Sequence, residues 1–312
     1  MMILRFALLF CGLLLTWFTH AEVTASAIVG RDPSRLELAS VKALVIDALT
    51  NEVLYSHNPD NVAPVASISK LVTAMVVLDA GQPLEEMIAV RIEETRELHN
   101  VFSRLRIGSV ISRRDMLLMT LMSSENRAAA SLAHHYPGGY SAFIAAMNAK
   151  AGALGMVHTR FVEPTGLSES NVSTARDLTL LVRAAAQYPL INEMSTTAKK
   201  DMRFFKPQYT LAFYNTNPLI HDSSWNIQLN KTGFNNQAGR CLVMLTVLNE
   251  RPLVVVLLDS FGKRSHFGDA SRIRQWLATG SGSRVHPAAK AYHQRKLNEI
   301  AALSQTDNAA TN

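Results

Sequence analysis

The chain has 312 residues, a formal charge of +6, 48% hydrophobic residues and 18% charged ones, which suits a globular core and excludes a disordered polymer. Its lysines and arginines are scattered, in pairs such as Arg113-Arg114 and Lys199-Lys200, without the basic and aromatic interleaving of single-strand binders. The charge therefore reads as a solvated surface, with no nucleic-acid partner, and two cysteines, Cys11 and Cys241, exclude a disulfide framework or a cysteine metal cluster.

Residues 1–27 read as a cleaved export signal: Arg5, an apolar run from Phe6 to Phe18, then small residues that put the cut after Ala21 or Ala27. That run is too short to span a bilayer, so membrane association is at most peripheral. Residues 42–47 and 52–55 alternate as two short strands of a hairpin. A loop around Pro59 and Pro64 then delivers Ser67 to the start of a helix that runs to about Asp79 and is ended by Gly81 and Pro83. Val90-Arg91-Ile92 and Arg104 to Ile107 read as further strand-like runs. Ser112 to Asp115 resembles a capping box opening an apolar helix to Met122, whose Met116, Met119 and Met122 recur at helical spacing and belong to the core. Ser124 and Asn126 occupy a tight turn before a second helix, 127–135, and a third helix is predicted over 141–154.

Residues 161–167 form a turn-rich loop, 173–187 another helix, and 189–224 a polar stretch without a clear period. Residues 226–231 alternate as a strand that ends in Lys231-Thr232-Gly233. The runs 241–248 and 253–258 make an apolar hairpin closed by a helix over 269–277, with Cys241 as a buried apolar side chain. The domain is expected to span 28–284, followed by a polar, partly disordered tail, 285–312, with a solvated helix over 288–303. His134-His135 makes a poor metal pair, because adjacent helical side chains diverge by about 100° and no acidic or cysteine partner is near in sequence. No metal and no cofactor is expected.

Three short motifs carry chemistry. Ser67-x-x-Lys70 puts an amine one helical turn from a hydroxyl, and a lysine kept neutral by burial can take the serine proton. By itself the tetrapeptide also fits a helix-capping serine, and Ser260-x-x-Lys263 repeats it. Ser124-Glu125-Asn126 and Lys231-Thr232-Gly233 follow in order, and Ser260 cannot lead such a series because it lies after the Lys-Thr-Gly. The ordered trio is the signature of β-lactamases and penicillin-binding proteins.

Over about residues 36 to 280 the chain thus resembles the penicillin-recognising serine D-alanyl-D-alanine peptidases, and Pro64 to Lys70, Ser123 to Ala130, His134 to Tyr140 and Lys231 to Phe234 resemble their low-molecular-mass endopeptidase branch. The resemblance implies an α+β fold of the β-lactamase/DD-peptidase type, an antiparallel sheet flanked by helices with an all-helical subdomain. It implies periplasmic residence, cutting of D-alanyl-diaminopimelate cross-links in peptidoglycan through an acyl-enzyme, and acylation by β-lactam antibiotics. By the same carry-over Ser67 is the nucleophile, Lys70 the general base and Ser124 the proton relay. Asn126 holds Lys70 and a substrate amide, and the N–H groups of Ser67 and Phe234 form an oxyanion hole. Lys231, Thr232 and Gly233 line the substrate strand, with Arg264 as a further carboxylate partner and Lys263 and His266 as other candidates. A DD-carboxypeptidase acting on pentapeptide stems, or a non-catalytic sensor that binds penicillin or peptidoglycan, are the alternatives. Glu163 lies in a loop comparable to the one that carries the deacylating glutamate of class A β-lactamases, but Ser168 stands where that family has asparagine. Glu163 is therefore read as a turn or salt-bridge residue.

Overall fold

Asp47 turns the chain between its first two strands: its carboxylate accepts the Leu49 and Thr50 N–H groups at 2.8 and 2.9 Å, closing the hairpin of β1 (Ser40–Asp47) and β2 (Val53–His57). The computed structural model describes residues 31–99 and 101–310, those from 303 onward by backbone alone. The expected export signal lies outside them. After β3 (Ala63–Pro64) a single 3-10 turn, Ala66–Ser69, leads into α1 (Lys70–Asp79), which is buried along nearly its whole length. Strand β4 (Met87–Ala89) pairs with β5 (Val110–Ser112).

The two strand-like runs expected at 90–92 and 104–107 are irregular chain. Val90, Ile92 and Leu105 are each buried, and Val90 exchanges backbone bonds with Ser109 and Gly108. Their alternation reflects single side chains pinned under a loop, which mimics the period of a strand.

Ser112 caps α2 (Arg113–Met122) as expected, accepting from the Asp115 N–H at 3.1 Å. Glu125 caps α3 (Asn126–His134), and α4 (Gly139–Ala153) follows. Met116, Met119 and Met122 are fully buried in the core these helices share with the sheet. Strand β6 (Val172–Ser173) pairs with β3, and Thr174 caps α5 (Ala175–Ala185). The stretch without a clear period resolves into α6 (Pro189–Thr196) and a hairpin of β7 (Lys199–Phe204) and β8 (Tyr209–Tyr214). Lys199, Asp201 and Arg203 of β7 all face outward, which leaves too few apolar positions to reveal a strand.

The apolar hairpin is β10 (Gly239–Leu248) and β11 (Arg251–Ser260), turning at Asn249 and Glu250, both with positive φ. Ahead of it β9 (Asn226–Asn235) runs four residues further than expected, because Lys231, Thr232 and Gly233 remain paired with Val243, Leu242 and Cys241. The five-stranded antiparallel sheet has the order β2-β1-β11-β10-β9. Val254, Val256 and Leu258 join the core under α1, α2 and α5, and the equally buried Leu253, Val255 and Leu257 point to the other face, where α7 (Ser265–Thr279) packs. Helix α8 (Pro287–Ala310) is docked rather than solvated at its start: Ala289 is buried, and the Tyr292 hydroxyl donates to the Asp259 carboxylate at 2.6 Å.

Candidate active site

Ser67 stands in the 3-10 turn between β3 and α1, so Lys70 is one turn further on and buried beneath it. The Lys70 Nζ donates to Ser67 Oγ at 2.9 Å, to Asn126 Oδ1 at 2.7 Å and to the Thr165 carbonyl at 2.5 Å. An amine with three acceptors is fixed in position. Burial pushes its pKa down to about 8, against the pull of the Glu163 and Glu125 carboxylates, so about a tenth of the amine is neutral at pH 7, far more than for an exposed lysine.

Glycines allow the strand and loop to close on the serine. A Cβ on Gly233 would stand 3.1 to 3.2 Å from Val65 O, Ala66 Cβ and Ser67 N. At Gly166, with φ of +79°, a Cβ would lie 1.9 Å from the Ala66 carbonyl. Ala66 itself holds a φ of +48°, one residue before Ser67, where the chain bends sharply to present the hydroxyl.

Ser124 reaches the site from the middle of a three-residue turn, Ser123 to Glu125. Helix α2 ends at Met122, α3 starts at Asn126, and the chain reverses at Ser124 with φ of +59°. The Lys231 Nζ donates to Ser124 Oγ at 2.8 Å and to the Thr232 carbonyl at 2.9 Å. Burial and the nearby Lys70 charge hold the Lys231 amine well below its ordinary range. At the cleft wall, the Thr232 and Thr216 hydroxyls share a hydrogen bond of 2.6 Å.

These groups open into a cleft of about 410 Å³ bordered by Ser67, Ser124, Asn126, Thr232, Gly233 and Phe234. Its outer wall carries Arg240, Lys263 and His266. Arg264, the expected carboxylate partner, is exposed at the cap of α7 and is not among the cleft residues. Arg240 takes that side of the cleft instead, its guanidinium 3.7 Å from the centre of the Phe234 ring. Sequence reading missed Arg240, and the register that sets it opposite Phe234 across β9 and β10 is the signal that finds it. His266 is neutral at physiological pH, pushed down to about 4 by burial and then by the Arg240 charge.

Glu163 is a turn residue. One carboxylate oxygen accepts from Gly166 N and Asn171 Nδ2 at 2.6 and 2.9 Å, the other from Thr165 N and Thr165 Oγ1 at 2.6 and 2.5 Å. Burial raises its pKa, opposed first by the Thr165 hydrogen bonds. Both oxygens are consumed in shaping the loop that points the Thr165 carbonyl at Lys70. The repeated motif at Ser260 is structural, since that hydroxyl shares a 2.5 Å hydrogen bond with buried Ser40. His134, for which no acidic neighbour was expected, lies 3.5 Å from the Glu94 carboxylate and 3.9 Å from that of Glu93, on the loop after β4. The His135 Nε2 sits 3.0 Å from the Ala89 carbonyl.

Comparison with known proteins agrees with this geometry. The profile of the D-alanyl-D-alanine carboxypeptidase family, S11 peptidases, matches residues 29–262. A D-alanyl-D-alanine endopeptidase of Escherichia coli is 59% identical over 283 residues, 91% of this chain and 90% of that protein. Another, of Pseudomonas aeruginosa, is 61% identical over 267 residues, 86% of each. Among solved structures, the Streptomyces K15 DD-transpeptidase superposes with a TM-score of 0.72 at 24% identity, covering 78% of this chain and 98% of its own. Penicillin-binding protein D2 of Listeria monocytogenes, in its cefotaxime-bound form, gives 0.67 at 27% identity, covering 78% and 99%.

Proposed function

The chain belongs to the S11 family of serine D-alanyl-D-alanine peptidases, and from that premise we propose that it is a DD-endopeptidase cutting D-alanyl-diaminopimelate cross-links of peptidoglycan in the periplasm. The observation that carries the reading is the buried Lys70 amine 2.9 Å from Ser67 Oγ with its pKa lowered to about 8. Ser67 attacks the D-alanyl carbonyl while neutral Lys70 takes its proton. The oxyanion is received by the Ser67 and Phe234 N–H groups, whose approach Gly233 permits, and one such donor contributes about 3 kcal/mol. Ser124, hydrogen-bonded to the Lys231 amine, passes a proton to the leaving amine and is resupplied with the one Lys70 took from Ser67, which returns Lys70 to its neutral form. Thr232, Lys231 and Arg240 receive the carboxylate beside that amine, and water then releases the acyl group with Lys70 again as base.

A β-lactam presents a strained amide to the same hydroxyl, so the same steps give a stable acyl-enzyme. The engagement of both Glu163 oxygens supports slow release, because neither is left to orient a hydrolytic water. The deciding experiment incubates the purified protein with a fluorescent penicillin, with cross-linked muropeptide dimers and with pentapeptide monomers. Labelling at Ser67 together with conversion of dimers to monomers is the expected result. Labelling with loss of only the terminal D-alanine identifies a carboxypeptidase, and no labelling at all overturns the enzyme reading.

A further inference from the structure

The β7–β8 hairpin stands at the edge of the cleft and carries far more positive charge than its own contacts use. It contains four cations, Lys199, Lys200, Arg203 and Lys206, against one carboxylate, Asp201. All four are exposed, and so are Arg104 and Arg106 on the segment that runs alongside β8. Their partners are ring faces and backbone. Arg104 stacks over Phe213 at 4.5 Å and donates to the Ala212 carbonyl at 2.7 Å, Arg106 lies 4.9 Å from the Tyr209 ring, Arg203 5.4 Å from Phe205 and Lys199 5.4 Å from Tyr214. A ring face steers a cation without cancelling its charge, so these groups remain available to an anion.

The near end of this surface is rooted in the catalytic cleft on two sides. Two residues beyond β8, Thr216 shares its hydrogen bond with Thr232, and Asn215 N closes the base of the hairpin on the Ala198 carbonyl at 2.8 Å. On the other side Ser103 donates to Glu125, between Ser124 and Asn126, at 2.8 Å. The far end is held by Phe205, whose backbone exchanges bonds of 2.7 and 2.8 Å with Val110. The result is a fixed cationic track on the hairpin's outward face, Lys199 and Arg203 beside the Tyr214 and Phe205 rings, leading out of the cleft. Arg104 and Arg106 lie over Phe213 and Tyr209, rings that the register puts on the hairpin's other face.

We propose that this track is an exosite for the polymeric substrate, holding the carboxylate-bearing stem peptides and sugar rings of peptidoglycan that flank the cross-link being cut. The inference rests on the peptidase reading above. Carboxylates complement the charge, and the half-exposed ring of Tyr214 and the partly exposed ring of Phe205 offer flat apolar faces to sugars. A lipid surface fits less well, because the hairpin tip, Lys206-Pro207-Gln208, offers no large apolar side chain to insert, and Phe205 beside it is tied to Val110 with Arg203 over its ring.

The test compares the protein with a Lys199→Glu/Arg203→Glu variant and with the milder Lys199→Gln/Arg203→Gln pair, both at exposed positions, with thermal melting as a control for folding. Four readouts are taken: co-sedimentation with purified intact sacculi, release of monomers from sacculi, cleavage of soluble muropeptide dimers, and labelling by fluorescent penicillin. The expected result is salt-sensitive binding to sacculi that falls at least about fivefold in the Glu pair and less in the Gln pair, with sacculus turnover falling in parallel. Dimer cleavage and labelling stay unchanged. Unchanged sacculus binding overturns the proposal, as does an equal loss on soluble dimers, which would place the two cations in the cleft itself. Charge-dependent binding to phosphatidylglycerol vesicles without any effect on sacculi assigns the surface to a membrane and also overturns it. Failure of the peptidase reading is seen separately, as absent labelling and dimer cleavage in the unaltered protein, while co-sedimentation still reads the track.

Discussion

Reactivity at Ser67 depends on how one amine is held. Three acceptors point at Lys70 Nζ, one of them the hydroxyl that the proposed mechanism has it deprotonate. Because burial rather than a partner cation is the first cause of its lowered pKa, Lys70→Ala is expected to lower the rate of penicillin acylation by about 10² to 10⁴-fold, the usual worth of a positioned base, without unfolding the protein. Stopped-flow acylation of the variant, with its circular dichroism as a control, checks this. In the proposed reaction Arg240 acts one step away, on substrate rather than on Ser67. Arg240→Ala is expected to raise KM for dimers by about tenfold while leaving kcat within about twofold, as removal of binding common to ground and transition states would. Initial-rate kinetics over a range of dimer concentrations decide it, and a fall in kcat alone would assign Arg240 to the chemistry.

At the scale of elements, the active site is a meeting of four segments that each bring one or two groups: the 3-10 turn before α1, the reversal between α2 and α3, the edge strand β9 and the Glu163 loop. Three of the four were legible in the sequence, because Ser-x-x-Lys, Ser-x-Asn and Lys-Thr-Gly sit in settings that turn chemistry and apolar periods reveal locally. The fourth contributes a backbone carbonyl, Thr165 O, which has no side-chain signature. Arg240 was missed for a related reason: its role comes from cross-strand register, and Arg264 lay nearer in sequence to the expected place. The β7–β8 hairpin escaped notice since its outward face is charged rather than apolar. The Glu163 loop makes two predictions. Glu163→Ala strips the acceptor from several buried N–H groups and is expected to cost about 3 kcal/mol of stability, with Glu163→Gln costing less. Gly166→Ala combines a positive φ with a Cβ placed 1.9 Å from Ala66 O, so it is expected to lower both the melting temperature and the acylation rate. Thermal melts and acylation rates on the three variants check both.

For the whole molecule, the sheet is the frame that keeps β9 at a fixed distance from α1. Near one end of β1 and β11 it carries a buried ion pair, Lys42 to Asp259 at 3.4 Å, to which α8 adds the Tyr292 hydroxyl. Lys42→Met leaves the Asp259 carboxylate buried without its cation and is expected to cost about 3 kcal/mol in a denaturant titration, with the acylation rate of the folded fraction preserved. In the proposed mechanism the frame presents one serine to one neutral amine, and the pH dependence of acylation measures that most directly. The rate constant for benzylpenicillin is followed between about pH 6 and 10, by rapid quench, on the native protein and on Lys70→Ala. Since the base works only when unprotonated, the native rate should climb with the loss of one proton and level off above a pH of about 8. The variant should be slow and lack that limb. A native rate that is flat across the range, or a Lys70→Ala protein that keeps the same inflection, would contradict the assignment of Lys70 as the base that activates Ser67.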